Sequence, residues 1–321
     1  DEYLENAKEI DVDIIRDKNG EIFVAGIMEH IEEAGIHSGD SACSLPPYSV
    51  SKETQNKIIE WVSKIANEIN VVGLMNTQLA IKDKKIYVLE VNPRASRTVP
   101  FVAKSKGIPV AKIAAKVMVG ENLNSILNDY KINELKNFNV KESVFPFNKF
   151  DGVDLILGPE MKSTGEVMGI DETFLSSYIK SQIACGNILP SKGTVFISID
   201  NDNKKFIIEI AQKLKELDFN LLATKGTAEY LNTNNIKTKI VNKVKEGNPH
   251  VVDSLINNEI QLVINTTKTQ SSIRDSYSIR RTSLMYNIPY YTTIAGAKVA
   301  VDAIEHMKTQ EFTIKSLQTI N

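Results

Sequence analysis

Cysteine and tryptophan are scarce in this chain. Its 321 residues include two cysteines, Cys43 and Cys185, and one tryptophan. The cysteines lie far apart and lack metal-ligand spacing, which argues against a disulfide framework and against a zinc site. A reducing cytoplasm fits this composition best, and the fold is expected to depend on a packed core.

Long apolar runs and a strong excess of one charge are also missing. No run approaches the ~18 residues of a membrane span, and the first residues, Asp-Glu-Tyr-Leu-Glu, do not resemble a signal peptide. The formal net charge of −2 gives no general attraction to nucleic acid or to an anionic membrane surface. We therefore expect neither nucleic acid nor a membrane among the partners.

The first part of the chain is predicted to mix strands and helices. Residues 9–17 alternate acidic and apolar positions as a half-buried strand does, and a turn at Lys18-Asn19-Gly20 leads into residues 21–26, which predicts a hairpin. Ser51 is a candidate N-cap for a helix with apolar residues near the helical period. The other expectations are strands at 71–81 and 85–91, a helix-rich stretch at 99–135, irregular structure at 143–168 and a helix at 172–186.

The pattern changes from Ser191, where strands and helices begin to alternate. The apolar runs lie at 194–199, 219–223, 238–242, 261–264 and 288–292, and a plausible helix follows each of them. This alternation is typical of a parallel, doubly wound sheet. With 42% hydrophobic residues the chain can form more than one domain. We predict an α/β protein with domains at 1–187 and 188–321.

Three hard oxygen ligands lie in or at the end of two short apolar segments. Gln78 belongs to the first, and Glu90 and Asn92 end the second, with Lys82-Asp83-Lys84-Lys85 as the turn between them. Glu90 and Asn92 point to one face of an extended chain, and a hairpin brings Gln78 across from them. Such oxygens suit magnesium, and Arg94 can reach a phosphate or a carboxylate-like substrate. The pattern predicts a magnesium-nucleotide site, although Glu-x-Asn by itself also fits a capped strand end.

Polar groups also follow two of the later strands. Thr224-Lys225-Gly226-Thr227 opens a helix after one strand, and Asn265-Thr266-Thr267-Lys268 follows another. Hydroxyls, backbone amides and a helix N-terminus suit a phosphate, and Lys204 and Lys243 can add charge. N-capping by Thr224 and Thr266 explains either loop taken alone. Together the two loops predict an anion site.

Three long strings of this sequence resemble one enzyme family. They are residues 26–41, which read Gly-Ile-Met-Glu-His-Ile-Glu-Glu-Ala-Gly-Ile-His-Ser-Gly-Asp-Ser, residues 90–101, which read Glu-Val-Asn-Pro-Arg-Ala-Ser-Arg-Thr-Val-Pro-Phe, and residues 157–167, which read Leu-Gly-Pro-Glu-Met-Lys-Ser-Thr-Gly-Glu-Val. They resemble the second ATP-grasp module of the carbamoyl phosphate synthetase large subunit, and the resemblance runs essentially end to end. It implies an α+β ATP-grasp lobe that phosphorylates carbamate, in pyrimidine and arginine biosynthesis.

The resemblance also implies roles for single residues. It makes Gln78, Glu90 and Asn92 ligands of two Mg²⁺ or Mn²⁺ ions, with Arg94 as a catalytic residue. The positions implied to hold ATP are Glu2, Leu4, Glu9, Gly35, Ile36, His37, Ser38, Gln78 and Glu90. The resemblance implies that part of an acidic loop binds K⁺, whereas the loop taken alone is interpreted as a solvated surface. This loop contains Glu29, His30, Glu32, Glu33 and Asp40. The implied ornithine site consists of Glu32, Asp40, Glu142, Tyr290 and Thr292.

The last 130 or so residues resemble the methylglyoxal synthase-like allosteric domain of the same subunit. That resemblance implies a site for the effectors UMP or IMP, formed by Ser198, Lys204, Thr224, Thr227, Lys243, Asn265, Thr266 and Thr267. Lys225 stands where bacterial members have His, so the preferred effector stays open. Methylglyoxal synthase activity itself is disfavoured, because the Asn265-Thr266-Thr267 loop offers no carboxylate base before Asp275.

The resemblance implies partners as well. These are a carbamate or bicarbonate-derived substrate, a glutaminase small subunit and further copies in an oligomer of heterodimers. The glycine-rich lid of the family's module has no counterpart in the sequence, which begins in the hinge at Asp1. We therefore expect these residues alone to bind nucleotide weakly and not to turn over, since positioning supplies much of the rate. The alternative function is a regulatory nucleotide-binding unit without catalysis.

Overall fold

The computed structural model describes residues 4, 7–132, 134–150, 152–310, 313, 314 and 316. Two compact units are present: one lies within 1–143, 158–181 and 313–321, and the other within 144–157 and 182–312. Both contain helices and strands, and the predicted α/β class is confirmed. The predicted domain boundary between Asn187 and Ile188 stays a prediction.

The first unit is built on a seven-stranded sheet with the order β5-β4-β1-β2-β3-β6-β7. Its strands are β1 (Lys8–Arg16), β2 (Ile22–Glu33), β3 (Cys43–Leu45), β4 (Gly73–Lys82), β5 (Lys85–Asn92), β6 (Phe138–Val144) and β7 (Gly165–Asp171). The accompanying helices are α1 (Lys52–Glu68), α2 (Val99–Lys106), α3 (Val110–Met118), α4 (Leu123–Leu127) and α5 (Phe174–Ala184).

Local sequence signals located most of these elements correctly. Strands β1 and β2 pair as the predicted antiparallel hairpin, and the Ser51 hydroxyl accepts a hydrogen bond from the Thr54 amide as the N-cap of α1. Strands β4 and β5 form the second predicted hairpin. Asp83 and Lys84 take φ values of 49° and 64° in its two-residue turn, which matches the right-handed twist of the strands.

Two expectations about the first unit are wrong. Strands β6 and β7 extend into the stretch 143–168 that is predicted to be irregular, and β3 lies where no strand is predicted, because short strands stabilised by neighbours distant in sequence have weak local signals. The supposed acidic loop lies partly in β2, where Glu29 and His30 are buried. The Glu29 carboxylate accepts from the Ser49 amide and pairs with Lys8, and His30 Nε2 pairs with Asp11, so protein groups rather than water surround these atoms.

Strand β1 is buried on both faces. On one face Ile10, Val12 and Ile14 pack in a cluster with the apolar side of α1. The alternating acidic residues point to the other face, and Glu9, Asp11 and Asp13 are 4%, 1% and 0% exposed. The expectation of a half-buried strand is therefore wrong, because α2, α3 and the segments around them cover the second face.

The second unit is built on a parallel five-stranded sheet with the order β10-β9-β8-β11-β12. Its strands are β8 (Thr194–Ser198), β9 (Asn220–Ala223), β10 (Lys239–Ile240), β11 (Leu262–Asn265) and β12 (Tyr290–Tyr291). Its helices are α6 (Lys204–Glu216), α7 (Lys225–Thr233), α8 (Val251–Ile256), α9 (Gln270–Asp275), α10 (Tyr277–Met285) and α11 (Ile294–Thr309). The predicted doubly wound alternation is confirmed. Across the described ranges, no helix combines the length and apolarity needed to cross a membrane.

Candidate functional site

The predicted metal ligands lie together in the β4–β5 hairpin. Gln78 is the register partner of Glu90, and Asn76 is the partner of Asn92. A β-bulge follows Gln78 in this pairing, and bulges are frequent beside active sites because they redirect side chains. Glu90 is exposed, whereas Gln78 and Asn92 are half-buried. One carboxylate and two amide side chains therefore present oxygen atoms on one part of the sheet, and this donor set fits a divalent ion such as Mg²⁺.

Strand β1 extends the same two rows with buried carboxylates. Asp11 is the register partner of Gln78, and Asp13 is the partner of Asn76. The Asn76 amide donates to both, at 3.2 Å to Asp11 Oδ1 and 3.0 Å to Asp13 Oδ1. These two aspartates and Asn76 were not predicted as site residues, although the alternation of acids at positions 9, 11 and 13 is a visible signal in the sequence.

Asp13 receives three side-chain hydrogen bonds. Besides the Asn76 amide, Ser96 Oγ donates to Oδ1 at 2.7 Å and Thr98 Oγ1 donates to Oδ2 at 2.6 Å. Burial raises the pKa of Asp13 to about 6 despite these hydrogen bonds, and the charge of Asp11 acts in the same direction as burial. The hydrogen bonds therefore hold the Asp13 carboxylate in place, but its ionisation lowers the stability of the fold.

This raised pKa predicts how stability depends on pH. A carboxyl group that binds its proton more tightly when folded stabilises the fold fully below its unfolded pKa of 3.8, and loses that contribution as pH rises through about 6. The free energy of unfolding of the wild type, relative to Asp13→Asn, should fall by about 2 kcal/mol between pH 4 and pH 7. Urea unfolding of both proteins over this pH range measures the difference.

Asp17 provides a control of opposite sign for this prediction. Asp17 is also fully buried, and burial opposes its ionisation. Hydrogen bonds from the backbone amides of Leu123, Glu21 and Asn19 nevertheless hold the pKa of Asp17 below its usual value. The wild type should therefore gain stability relative to Asp17→Asn as pH rises. Parallel pH profiles for the two variants would contradict the assignment of the titration to Asp13.

A second buried cluster lies beside this row. Glu9, Asp11 and His30 each bring one potential ligand atom within 4.8 Å of the others, and His30 Nε2 lies 2.9 Å from Asp11 Oδ2. Burial raises the pKa of Glu9; burial alone would lower the pKa of His30, but the hydrogen bond and charge of Asp11 raise it. His30 Nδ1 is buried and has no hydrogen-bond partner among the described residues. The two carboxylates and one ring nitrogen of His30 lie close enough together to hold a cation.

The predicted nucleotide loop is tied down mainly through its backbone. Lys141 Nζ donates to the Ser38 carbonyl at 2.9 Å, the His37 amide donates to the Gly158 carbonyl at 2.8 Å, and Gln78 Nε2 lies 3.3 Å from Ser38 Oγ. His37 Nδ1 accepts from the Gly39 amide at 3.0 Å. Ser38 therefore connects this loop to the predicted metal ligand Gln78.

Other predicted residues of the first unit have defined surroundings. Gly35 contacts Glu9, since its amide lies 3.4 Å from Glu9 Oε2. The Asp40 carboxylate accepts the amides of Lys162 and Ser163, both at 2.8 Å, and Glu32 Oε2 accepts from Ser41 Oγ at 2.6 Å and from the Ala42 amide at 2.8 Å.

The remaining predicted residues separate into three groups. Leu4, Ile36 and Glu142 are half-buried, and Arg94 is exposed. Glu2 lies outside the described residues. Tyr290 and Thr292 belong to the second unit, where the Tyr290 hydroxyl lies 2.9 Å from Asn265 Nδ2. The assignment of an ornithine site stays a prediction.

The second unit contains a cavity of about 320 Å³ at the carboxyl ends of its parallel strands. All eight residues predicted to hold an effector line it; they are Ser198, Lys204, Thr224, Thr227, Lys243, Asn265, Thr266 and Thr267. Helix α7 begins at this cavity, with Gly226 and Thr227 in the lining, so its first amides and its dipole favour an anion there. The topology of the sheet therefore brings together residues that are up to 69 positions apart in the sequence, from Ser198 to Thr267.

Simple N-capping does not account for the two threonine loops. Thr224 occupies the N-cap position of α7 but makes no side-chain cap hydrogen bond; its hydroxyl lies 3.4 Å from those of Ser198 and Thr227. Thr266 donates to Asp200 Oδ2 at 2.6 Å, and the N-cap of α9 is Thr269. The capping alternative for these two hydroxyls is wrong.

Asp200 is a carboxylate outside the Asn265-Thr266-Thr267 loop that was not predicted as a base. It follows β8 and lines the cavity together with Asp275. Although burial opposes ionisation of Asp200, hydrogen bonds from Thr266, Asn203 and backbone amides lower its pKa. An acid stabilised in this way is a poor proton acceptor, so the cavity still favours binding over base catalysis.

Comparisons of the sequence with known proteins point to one family. Residues 1–126 match the family model "Carbamoyl-phosphate synthase L chain, ATP binding domain", and residues 206–292 match the model "MGS-like domain". The carbamoyl phosphate synthase large chain of Myxococcus xanthus (strain DK1622) is 50% identical over 318 residues, which cover 99% of this chain and 29% of the relative. That of Archaeoglobus fulgidus is 50% identical over 319 residues, covering 99% and 30%.

One solved structure that resembles part of the fold is the biotin carboxylase subunit of pyruvate carboxylase, with a TM-score of 0.44, 16% identity, and coverage of 57% of this chain and 46% of that one. The chain spans less than a third of the length of the curated relatives above. Two successive family models and relatives half identical over nearly all of these residues lead to one conclusion: the chain belongs to the family of carbamoyl phosphate synthase large chains.

Proposed function

We propose that this chain forms the carbamate-phosphorylating and regulatory part of a carbamoyl phosphate synthase. In this reaction a carbamate oxygen attacks the γ-phosphorus of ATP, the bond from that phosphorus to the β–γ bridging oxygen breaks, and carbamoyl phosphate and ADP result. The observation that carries the proposal is the pairing of Gln78 with Glu90 beside Asn92 in one hairpin. This set resembles a metal-nucleotide site in both residue type and spacing.

The side chains of the first unit have distinct parts in this proposal. Gln78, Glu90 and Asn92 would hold two Mg²⁺ or Mn²⁺ ions, which when bound offset the charge of the ATP phosphates. Glu9 and the loop from Gly35 to Ser38 bind the nucleoside part of ATP. Arg94 directs its guanidinium at the phosphoryl group or at the acceptor, with a planar fork that suits either anion.

The buried cluster of Glu9, Asp11 and His30 supports the proposed K⁺ requirement. Each contributes a potential ligand atom, and a cation there offsets the charge of two carboxylates that the protein buries.

The proposal includes a glutaminase small subunit, an oligomer of heterodimers, ornithine as a further effector, and a cytoplasmic role in pyrimidine and arginine biosynthesis. Inactivity of the 321 residues by themselves remains part of the same prediction.

The reverse partial reaction tests the catalytic proposal. It is run in an intact large chain of the relatives' full length that carries this sequence as its matching part. With Mg²⁺, ADP and carbamoyl phosphate, this enzyme should form ATP, because the site binds the products as well as the substrates. A folded enzyme that hydrolyses ATP with bicarbonate but forms no ATP from carbamoyl phosphate would overturn the proposal.

The alternative, a regulatory nucleotide-binding unit, is supported by the 320 Å³ cavity of the second unit. We expect UMP, titrated into the 321-residue chain, to give a saturable heat of binding. Lys243→Ala or Thr224→Ala should remove that heat, since the first loses a cation and the second a hydroxyl from the cavity lining. Lys298→Ala is the control, because Lys298 is exposed, pairs with Glu209 and does not line the cavity. Unchanged binding in the two cavity variants would reject this site.

A further inference from the structure

We propose that Asp13 is a positioning residue for the loop of residues 93–98, which follows the predicted metal ligand Asn92. The inference rests on the proposed function, because the loop matters to catalysis only if the β4–β5 hairpin is a phosphoryl-transfer site. The loop carries two exposed basic side chains, Arg94 and Arg97. The Arg94 amide donates to the Asn92 carbonyl at 2.8 Å, so the chain turns sharply where the strand ends.

The contacts of Asp13 hold both the loop and the strand beside the metal ligands. Its two carboxylate oxygens accept from Ser96 and Thr98 of the loop at 2.7 Å and 2.6 Å, and Oδ1 accepts from Asn76 at 3.0 Å. Asn76 is the register partner of Asn92. One carboxylate therefore connects the base of the arginine-bearing loop to the residue that lies opposite Asn92.

Burial makes this connection rigid. Asp13 is 0% exposed, so water cannot replace a donor that moves away, and hydrogen bonds to a charged acceptor are about twice as strong as neutral ones. Thr98 stands at the N-cap position of α2 but makes no capping hydrogen bond. Its hydroxyl donates to Asp13 instead. The start of α2 and the loop before it are thus oriented by β1.

This geometry predicts a selective kinetic effect. An arginine displaced by about 1 Å can lose much of its contribution to binding and catalysis. If Asp13 orients Arg94 and Arg97 toward the phosphoryl acceptor, its loss should weaken use of carbamoyl phosphate and leave binding of ADP almost unchanged. A residue that only supports the fold would lower the active fraction and would not separate the two substrates.

The test compares Asp13→Asn with the wild type in the intact large chain. We expect KM for carbamoyl phosphate to rise about tenfold while KM for ADP changes by less than about twofold. In the 321-residue chain, hydrogen exchange at the amides of residues 94–98 should become about tenfold faster. Thr98→Val removes one donor and should give a smaller change of the same kind. It replaces Asp13→Asn as the test if Asp13→Asn folds poorly. The double variant should differ little from Asp13→Asn alone.

Asp17→Asn is the matched control, since Asp17 is equally buried but accepts the amides of Asn19, Glu21 and Leu123 away from the loop. It should leave both KM values unchanged. Unaltered exchange in the loop, or equal changes in the two KM values, would overturn the role of Asp13 while the wild-type reaction upholds the proposed function. A wild-type enzyme that forms no ATP would overturn both.

Discussion

Glu90→Gln should reduce ATP formation from ADP and carbamoyl phosphate by about 10³-fold or more in the intact large chain. Glutamine has nearly the same size but no charge, and the proposed site has one carboxylate beside two amide ligands in the hairpin, Gln78 and Asn92. Glu90 is exposed, so its replacement should leave the fold intact. The loss would therefore reflect metal and nucleotide binding rather than unfolding.

The same variant should retain bicarbonate-dependent ATP hydrolysis, which we assign to the other ATP-grasp module of a complete enzyme. Measuring both reactions on one preparation provides an internal control for folding and concentration. Glu53→Gln, a change at an exposed side chain of α1 that pairs with Lys57, should alter neither rate. If Glu90→Gln lowered both reactions equally, the assignment of this hairpin to carbamate phosphorylation would be wrong.

Asp154→Ala should destabilise the second unit by about 3–5 kcal/mol. Asp154 faces Arg280, whose side chain is 1% exposed and donates to both carboxylate oxygens, with Arg280 Nε 2.5 Å from Oδ1. Removing the carboxylate leaves a guanidinium buried with part of its charge unbalanced. Arg280 keeps neutral acceptors, among them Ser276 Oγ at 2.7 Å and the Ile273 carbonyl at 2.8 Å.

Replacing both members of this pair should cost less than replacing Asp154 alone. In the double variant Asp154→Ala, Arg280→Met no buried charge remains, and an apolar side chain fills part of the space. Urea unfolding followed by circular dichroism reports both units, and the part of the transition that Trp61 fluorescence does not follow gives the stability of the second unit. Fluorescence of Trp61, the single tryptophan, follows the first unit and should not change. If Asp154→Ala and the double variant were equally stable, buried charge would not be the cause.

Most of the secondary structure could be predicted because its causes are local. The N-cap at Ser51, the turn at Asp83 and Lys84, and the alternation of strands and helices after Ser191 depend on neighbouring residues. Strands β3, β6 and β7 could not be located in the same way, since they are stabilised by partners far away in sequence. Strand β3, with three residues, pairs with β2 on one side and β6 on the other.

The two candidate sites differ in how far the sequence revealed them. The residues predicted to hold an effector all line the cavity of the second unit, because the carboxyl ends of parallel strands necessarily meet at one edge of a sheet. In the first unit the proposed metal ligands were visible as a short motif, but their support by Asp11, Asp13 and Asn76 was not. An acidic residue on a strand looks alike in sequence whether it faces water or the interior, and only the covering elements decide which.

Local patterns and long matching strings were enough to predict the α/β class, the hairpin that pairs Gln78 with Glu90, and the family. Tertiary structure alone decided the burial of Glu9, Asp11 and Asp13, the pairing of Arg280 with Asp154, and the hydrogen bonds from Ser96 and Thr98 to Asp13. These depend on which segments pack over a strand. Burial then converts ordinary surface chemistry into strong, directional interactions, because water no longer competes for the same groups.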